Sequence, residues 1–285
     1  RKHLETDRQI LWVTYYRNLY NATHPSEINS PVSLSRNLLA WNQPGTNGLI
    51  LPVNPSASFL SILFANELWF TLGDMTMAEH CAMLSMIFSP RNSGSRMIKR
   101  LAEINLVNGD DEAALKYLRI LDKTLLHKSW AEKRIPGQQT PRVKEWLEKK
   151  RRDIPTQDQL RSGNDAVTSL RNLVASNAGN LRAYEYLLCY HLLSKDLRSF
   201  VEDYVPGKVS SPIFAEALLI HLARQGNIRA EELIKYQIPV EIAKEFADYT
   251  RLYEAKDTSL KEKYGKTYWF YYHFATTEPG KESKP

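Results

Sequence analysis

Residues 97–121, MIKRLAEINLVNGDDEAALKYLRIL, decide the fold of this chain. Their apolar residues recur at a spacing of three and four on both sides of Gly109-Asp110, which is the spacing of an amphipathic helix. A glycine takes the left-handed conformation that ends a helix at little steric cost, and an aspartate caps the next helix by accepting from its free backbone N–H groups. The stretch therefore predicts a helical hairpin.

The preceding residues repeat this pattern. Residues 60–72 are apolar and compatible with a helix, and Gly73-Asp74 separates them from a second apolar stripe. The glycines of the two turns are 36 residues apart, and Ala78 and Ala114 are also 36 apart. A small residue, which lets paired helices approach closely, thus keeps the same place in each predicted hairpin.

Two further hairpins are predicted nearer the C-terminus, with turns at Lys195-Asp196 and Gly226-Asn227. A period of about 34 residues, with glycine or alanine at helix contacts, resembles the tetratricopeptide pattern, in which each unit buries its apolar face by stacking on its neighbours. The match is degenerate, with Asn66, Ala102 and Leu188 where the motif prefers glycine or another small residue. The sequence predicts an all-α, tetratricopeptide-like αα-hairpin superhelix, although any array of αα-hairpins would show a similar alternation.

The positions of these turns predict one continuous structural domain with five segments. The segments are an N-terminal helix and loop cap (1–58), hairpins 1 and 2 (59–126), a basic helical insertion (127–178), hairpins 3 and 4 (179–255), and an aromatic C-terminal segment with a polar tail (256–285).

The basic insertion holds most of the net charge of +6, which results from 38 Lys and Arg against 32 Asp and Glu. Its run Lys149-Lys150-Arg151-Arg152 could grip phosphates through counterion release. Because Glu145, Glu148 and Asp153 interleave the cations, a solvated helix with internal ion pairs is the favoured interpretation. The charge balance therefore does not favour a nucleic acid partner.

The aromatic run YGKTYWFYYHF at 264–274 offers stacking surfaces for bases or sugars. The favoured interpretation is a core element. The alternation of Trp269, Tyr271 and His273 with the intervening aromatic residues predicts a terminal strand or extended segment that docks on the last helices.

The sequence contains no recognisable catalytic or metal-binding motif. Cys81 and Cys189 each lie in an apolar helical pattern, where a free thiol packs as a small hydrophobe. None of the seven histidines has another His, Cys or carboxylate at a metal-ligand spacing, so neither a metal nor a cofactor is predicted. A pair of buried carboxylates for glycoside chemistry stays open, because such groups meet in space rather than in sequence.

The candidate binding residues lie on the first helices of the hairpins, which line a concave groove in tetratricopeptide-like stacks. Mixed charges there would suit a peptide or a polar polymer, and the alternative is ordinary solvated helix positions. The groove-facing positions are Glu67, Lys99, Glu103, Arg182, Glu185, Glu216 and Arg224.

Four segments carry a resemblance to a known family: KRLAEINLVNG at 99–109, ALKYL at 114–118, AYEYL at 183–187 and YGKTYWFY at 264–271. The chain resembles an uncharacterised Bacteroidetes family of multi-spanning membrane proteins. In that family, hydrophobic N-terminal helices precede a soluble helical C-terminal region, and no activity or catalytic residue is assigned. The resemblance implies that this chain, which begins at Arg1, is the excised soluble portion of a longer membrane protein.

The expected function is therefore a non-catalytic, protein- or polymer-binding helical-repeat domain of a membrane-anchored envelope protein. The partner would be an unknown protein or polymer, and the domain would lie in the periplasm, with the cytoplasm as the alternative. A competing hypothesis is part of an envelope enzyme that acts on glycans or lipids and shares its active site with missing transmembrane segments.

Overall fold

The computed structural model describes residues 66, 68–88, 90–156 and 166–274. These residues form helices and turns, and no β-strand occurs among them, which confirms the all-α fold class. They fall into two compact units, an N-terminal unit that ends at Tyr184 and a C-terminal unit that begins at Glu185. The predicted N-terminal helix and loop cap (1–58) and the last residues of the predicted C-terminal segment (275–285) lie outside the described residues, as does Glu67.

A helical segment at 68–72 comes first among the described residues. The helices that follow in the N-terminal unit are α1 (Met75–Phe88), α2 (Pro90–Asn108), α3 (Asp111–Asp122), α4 (Lys128–Glu132), α5 (Pro141–Arg151), α6 (Ala166–Ser176) and the first turn of α7 (Leu181–Leu193). The helices after α7 are α8 (Leu197–Asp203), α9 (Pro212–Arg224), α10 (Ala230–Lys235), α11 (Val240–Glu254), α12 (Leu260–Tyr264) and α13 (Tyr268–Phe274).

The first two turns have the chemistry that the sequence predicts. Gly73 and Gly109 adopt φ angles of +91° and +82°, in the left-handed region that favours glycine. The Asp74 Oδ1 atom accepts from the Met77 N–H at 3.0 Å, and Asp110 caps α3 in the same way. These contacts satisfy donors that a helix start leaves unpaired.

The two later turns are also where they were predicted. Lys195 adopts a left-handed φ of 56° although it is not a glycine, and Asp196 caps α8 by accepting from the Ser199 N–H at 3.0 Å. Gly226 ends α9 with a φ of +64°. Among the described residues, each of the four predicted turns lies between helical residues.

Small side chains lie where the first three helices pack. The helices α1 and α2 contact each other, as do α2 and α3, and Ala78, Ala82, Ala102 and Ala114 are fully buried. Cys81 packs with them as a free thiol, and its burial raises the pKa of that thiol to about 12. This agrees with the interpretation of the cysteines as small core residues.

The basic insertion contains α5, whose inner face packs through Val143 and Leu147. Lys149 and Arg152 are exposed, as a solvated helix requires. The prediction of a solvated side chain is wrong for Lys150, which is buried and donates to the Phe70 carbonyl. Arg151 is exposed, and its side chain donates to the Leu106 and Val107 carbonyls of α2.

The aromatic run forms the helix α13, so the prediction of a strand or extended segment is wrong. Four consecutive residues, 268–271, are buried, because α9 and α12 both contact α13. The Trp269 ring lies 5.2 Å from that of Phe246 and 5.5 Å from that of Tyr249 between centroids. The interpretation of the run as a core element is correct.

None of the described helices combines the length and the hydropathy that crossing a bilayer requires.

Candidate functional site

The N-terminal unit gathers cations around aromatic rings, with Phe70 at the centre. The Phe70 ring is buried, the Arg100 guanidinium carbon lies 3.7 Å from its centroid, and the Lys150 Nζ atom lies 4.7 Å from it. A cation over an aromatic face is attracted by the ring quadrupole, more strongly where water is excluded. The cationic cluster consists of Phe70, Arg100, Glu103, Arg134, Trp146, Lys150 and Arg182.

Lys150 lies in the last turn of α5, and its Nζ atom donates to the Phe70 carbonyl at 3.3 Å. Burial lowers the pKa of Lys150 to about 7, and repulsion by Arg182 and Arg100 adds to the effect. Near neutral pH about half of the molecules therefore carry an uncharged amine at this position. The amine takes up a proton when negative charge is added beside it.

Arg182 and Asn180 approach the same helix end from the start of α7. The Arg182 Nη1 atom donates to the Thr71 carbonyl at 3.3 Å, and the Asn180 Nδ2 atom donates to the Leu72 carbonyl at 2.7 Å. The last carbonyls of a helix carry partial negative charge and have no partner within the helix. This end of the 68–72 segment therefore fixes the position of Arg182 in the cluster.

Arg134 contributes a guanidinium that stacks on tryptophan. Its central carbon lies 4.1 Å from the Trp130 ring centroid and 5.9 Å from that of Trp146. Burial lowers the pKa of Arg134, whereas Glu103 acts to raise it. Its Nε atom is buried and has no hydrogen-bond partner within the part of the chain that the structure describes. A buried, unpaired donor of this kind is what an anionic ligand would satisfy.

Glu103 is a carboxylate that faces these cations. It pairs with Arg100 at 3.1 Å, and the two side chains are only 13% and 11% exposed. It also acts on the charge of Arg134 and of Lys150. The guanidinium groups of Arg100, Arg134 and Arg182 outnumber this carboxylate and that of Asp153, which leaves the cluster with an excess of positive charge.

Three of the residues predicted from the hairpin register lie in or beside this cluster. Glu103 and Arg182 belong to it, and Lys99 lies at its edge with its Nζ atom 4.8 Å from the Trp130 centroid. Glu67 lies outside the described residues.

Glu216 has a structural role in the C-terminal unit, where its Oε2 atom accepts from the Tyr268 N–H at 2.5 Å. Burial raises the pKa of Glu216 to about 8, which this hydrogen bond partly counteracts and Glu245 reinforces. Its backbone carbonyl accepts from the Trp269 Nε1 atom at 2.9 Å. Glu216 thus fixes the start of α13 and does not line an open groove.

Arg224 and Glu185 also lie in the C-terminal unit. The Arg224 side chain is exposed and donates to the Tyr272 hydroxyl at 2.6 Å, so it also contacts α13. Glu185 is half-buried on α7, and its charge acts on the buried Cys189 thiol.

The residues predicted from the hairpin register do not include four members of the cationic cluster, namely Phe70, Arg100, Arg134 and Lys150. One signal in the sequence could have found part of this set, because Trp130 and Arg134 are four residues apart, a spacing that stacks side chains on one helical face. Lys150 gave no such signal, since its exposed neighbour Lys149 has the same chemistry.

A family model that is described as a family of unknown function, DUF6057, matches residues 32–275. The chain belongs to this family. Its expected membership of an uncharacterised family is thereby confirmed. No curated protein and no solved structure matches this DUF6057 chain. Among the described residues, no three His, Cys, Asp or Glu side chains gather as the ligands of a metal ion would.

Proposed function

We propose that this DUF6057 chain is a non-catalytic binding domain for a protein or polymer partner, and that the cationic cluster holds an anionic group of that partner. The observation that carries the proposal is that Arg100 and Lys150 both lie over the buried Phe70 ring, and that the charge of Arg182 acts on Lys150. An anion placed among them would be attracted by all three and would relieve their mutual repulsion.

Two features favour an anion over further structural ion pairing. The Arg134 Nε donor has no partner among the described residues, so a hydrogen bond is left to be made. Arginine presents its donors in a planar fork that fits carboxylate and phosphate oxygens. The aromatic rings of Phe70, Trp130 and Trp146 exclude water nearby, which strengthens the attraction.

The tetratricopeptide-like arrangement of the hairpins is part of the same proposal. Its support is the repeated turn chemistry at Gly73 and Gly109 and the buried alanines that keep one place in both hairpins. A stack of such units would present the first helices of the hairpins on one surface.

We also propose a cellular location for this domain. The resemblance to multi-spanning Bacteroidetes membrane proteins supports a membrane-anchored envelope protein, with this domain in the periplasm. In that setting the partner would be a protein or polymer that meets the embedded module.

The test is isothermal titration calorimetry of the full chain, with an octaglutamate peptide as one ligand and inorganic polyphosphate as the other. Arg182→Gln removes one cation of the cluster and is expected to weaken binding about tenfold or more, because a hydrogen bond to a charged group is lost. Arg152→Gln is the matched control, since Arg152 carries the same charge on an exposed side chain.

Equal weakening by both substitutions would contradict the proposal, because it would show a diffuse attraction to the whole basic surface. Binding of polyphosphate alone would identify a polymer, and binding of the peptide would identify a protein segment. If the chain binds neither probe, the cluster is not an anion site of this class.

The enzyme hypothesis calls for two buried carboxylates that converge. Glu216 is the buried carboxyl whose raised pKa would suit a general acid, but its Oε2 atom accepts the Tyr268 N–H. Its charged neighbour Glu245 is exposed. This arrangement favours a role for Glu216 in stability.

A further inference from the structure

The turn between α3 and α4 presents two leucines to solvent. Leu125 is 98% exposed and Leu126 is 85% exposed, which are the highest exposures of any large apolar side chain that the structure describes. Single exposed apolar residues are ordinary on protein surfaces, whereas two consecutive, nearly fully exposed leucines mark an interaction surface. This surface, Leu125 and Leu126, is called the leucine tip.

The leucine tip is held outward by an ordered turn. The Thr124 hydroxyl donates to the Leu121 carbonyl at 2.7 Å and accepts from the His127 N–H at 3.2 Å. Beneath the turn, Leu121 and Ala131 are buried in a small core that also contains Leu118. The fold thus buries apolar side chains on both sides of the tip and leaves the two leucines outside.

Exposed cations flank the tip along the sequence on both sides. The exposed charged side chains near it include four Lys or Arg against the acids Asp122 and Glu132. Clustered Lys and Arg side chains are attracted to a surface that carries anionic lipids. The four cations are Arg119, Lys123, Lys128 and Lys133.

The chemistry of the tip fits a lipid surface better than a protein. A stable protein interface covers about 800 Å² on each partner around a buried apolar centre. Here the two leucines are followed and preceded in sequence by exposed charged residues, and Ile120 is the nearest other exposed large apolar side chain along the chain. An interfacial anchor needs only such a combination, with apolar side chains at the acyl boundary and cations among the headgroups.

We propose that the leucine tip inserts into the surface of a membrane that contains anionic phospholipid. The flanking lysines and arginines hold the tip at the headgroups, and Leu125 and Leu126 enter the acyl boundary. This contact is independent of the anion site at the cationic cluster, because the two surfaces share no residue.

The test is co-sedimentation of the full chain with vesicles of phosphatidylcholine alone and of phosphatidylcholine mixed with phosphatidylglycerol. The chain is expected to sediment with the anionic vesicles. The double variant Leu125→Ser and Leu126→Ser is expected to partition about tenfold less into the anionic vesicles, because it lacks the two apolar side chains that would enter the acyl boundary. The matched control is Ile234→Ser, which removes a side chain that is 77% exposed elsewhere and should not change the partition.

Insertion is measured directly with an environment-sensitive dye on Leu125→Cys, since the native Cys81 and Cys189 are buried and would not be labelled. The dye emission is expected to shift to the blue when anionic vesicles are added. A dye on Ile234→Cys should not shift. Lys123→Glu with Lys128→Glu should abolish the preference for anionic vesicles.

Three results would overturn the proposal. One is equal sedimentation of the wild-type chain and the serine double variant, and another is the absence of sedimentation with either vesicle. The third is a dimer, detected by light scattering without lipid, that the serine substitutions dissociate, because the occupant of the tip would then be a second copy of the chain.

Discussion

A substitution at Gly73 tests how the basic insertion packs on the first hairpin. Gly73 has a φ of +91°, and a Cβ atom added there would lie 2.2 Å from the Asp153 carbonyl oxygen and 2.7 Å from its carbon. Both atoms are backbone, so no side-chain rotation can relieve the contact. Gly73→Ala therefore forces either the turn or the residues that follow α5 to move.

Gly109 provides the matched control. It occupies the same place in the next hairpin with a φ of +82°, and a Cβ atom there would meet nothing within 4 Å. Gly109→Ala should therefore show only the strain of a left-handed L-residue, about 1–2 kcal/mol. Gly73→Ala adds the steric term, which is about 1–3 kcal/mol when a packed core is overfilled.

The assay is urea unfolding of the full chain followed by circular dichroism, with each alanine variant compared with wild type. We expect Gly73→Ala to lower the free energy of unfolding by about 1–3 kcal/mol more than Gly109→Ala does. Hydrogen exchange should locate the extra loss at residues 150–156. If the two variants differ by less than about 0.5 kcal/mol, the close packing of Asp153 on this turn is refuted.

Three further predictions concern buried polar groups. Because burial raises the pKa of Glu216 from 4.5 to about 8, stability that is fully present below pH 4.5 is lost as pH rises to about 8, so the stability of Glu216→Gln relative to wild type should rise between pH 5 and pH 8 in urea unfolding. Because the pKa of Lys150 is lowered to about 7, peptide affinity measured by calorimetry should fall as pH rises from 6 to 8, and Lys150→Met should remove this dependence. Asn180→Ala leaves two backbone carbonyls without a donor and should lower the free energy of unfolding by about 2–3 kcal/mol, whereas Asn108→Ala at an exposed position should have little effect.

The turns could be predicted because their chemistry is local. Gly109 and Asp110 are adjacent in sequence, and each acts on backbone groups within five residues. A left-handed glycine and an aspartate cap are therefore visible without any tertiary information. The same holds for Lys195-Asp196, where the cap is present although the left-handed residue is a lysine.

The cationic cluster could not be predicted in the same way. Lys150 and the Phe70 carbonyl are separated by 80 residues, and only the packing of α5 brings them together. Lys149 and Lys150 are alike in sequence, but one is solvated and the other is buried. The prediction of a strand for the aromatic run is wrong for a related reason. The alternation of ring types does not show that neighbouring helices cover both Tyr268 and Trp269.

Several of the cations of this chain share a structural task. Lys150, Arg151 and Lys195 each donate to carbonyls near the C-terminal end of a helical segment, where the macrodipole is negative. Such a cation lies close to backbone oxygen and has part of its charge compensated. Arg134 likewise donates through Nη1 to the Trp130 carbonyl at 3.3 Å, but its buried Nε donor has no partner among the described residues. The space beside this Nε atom is therefore where an anionic group would gain most.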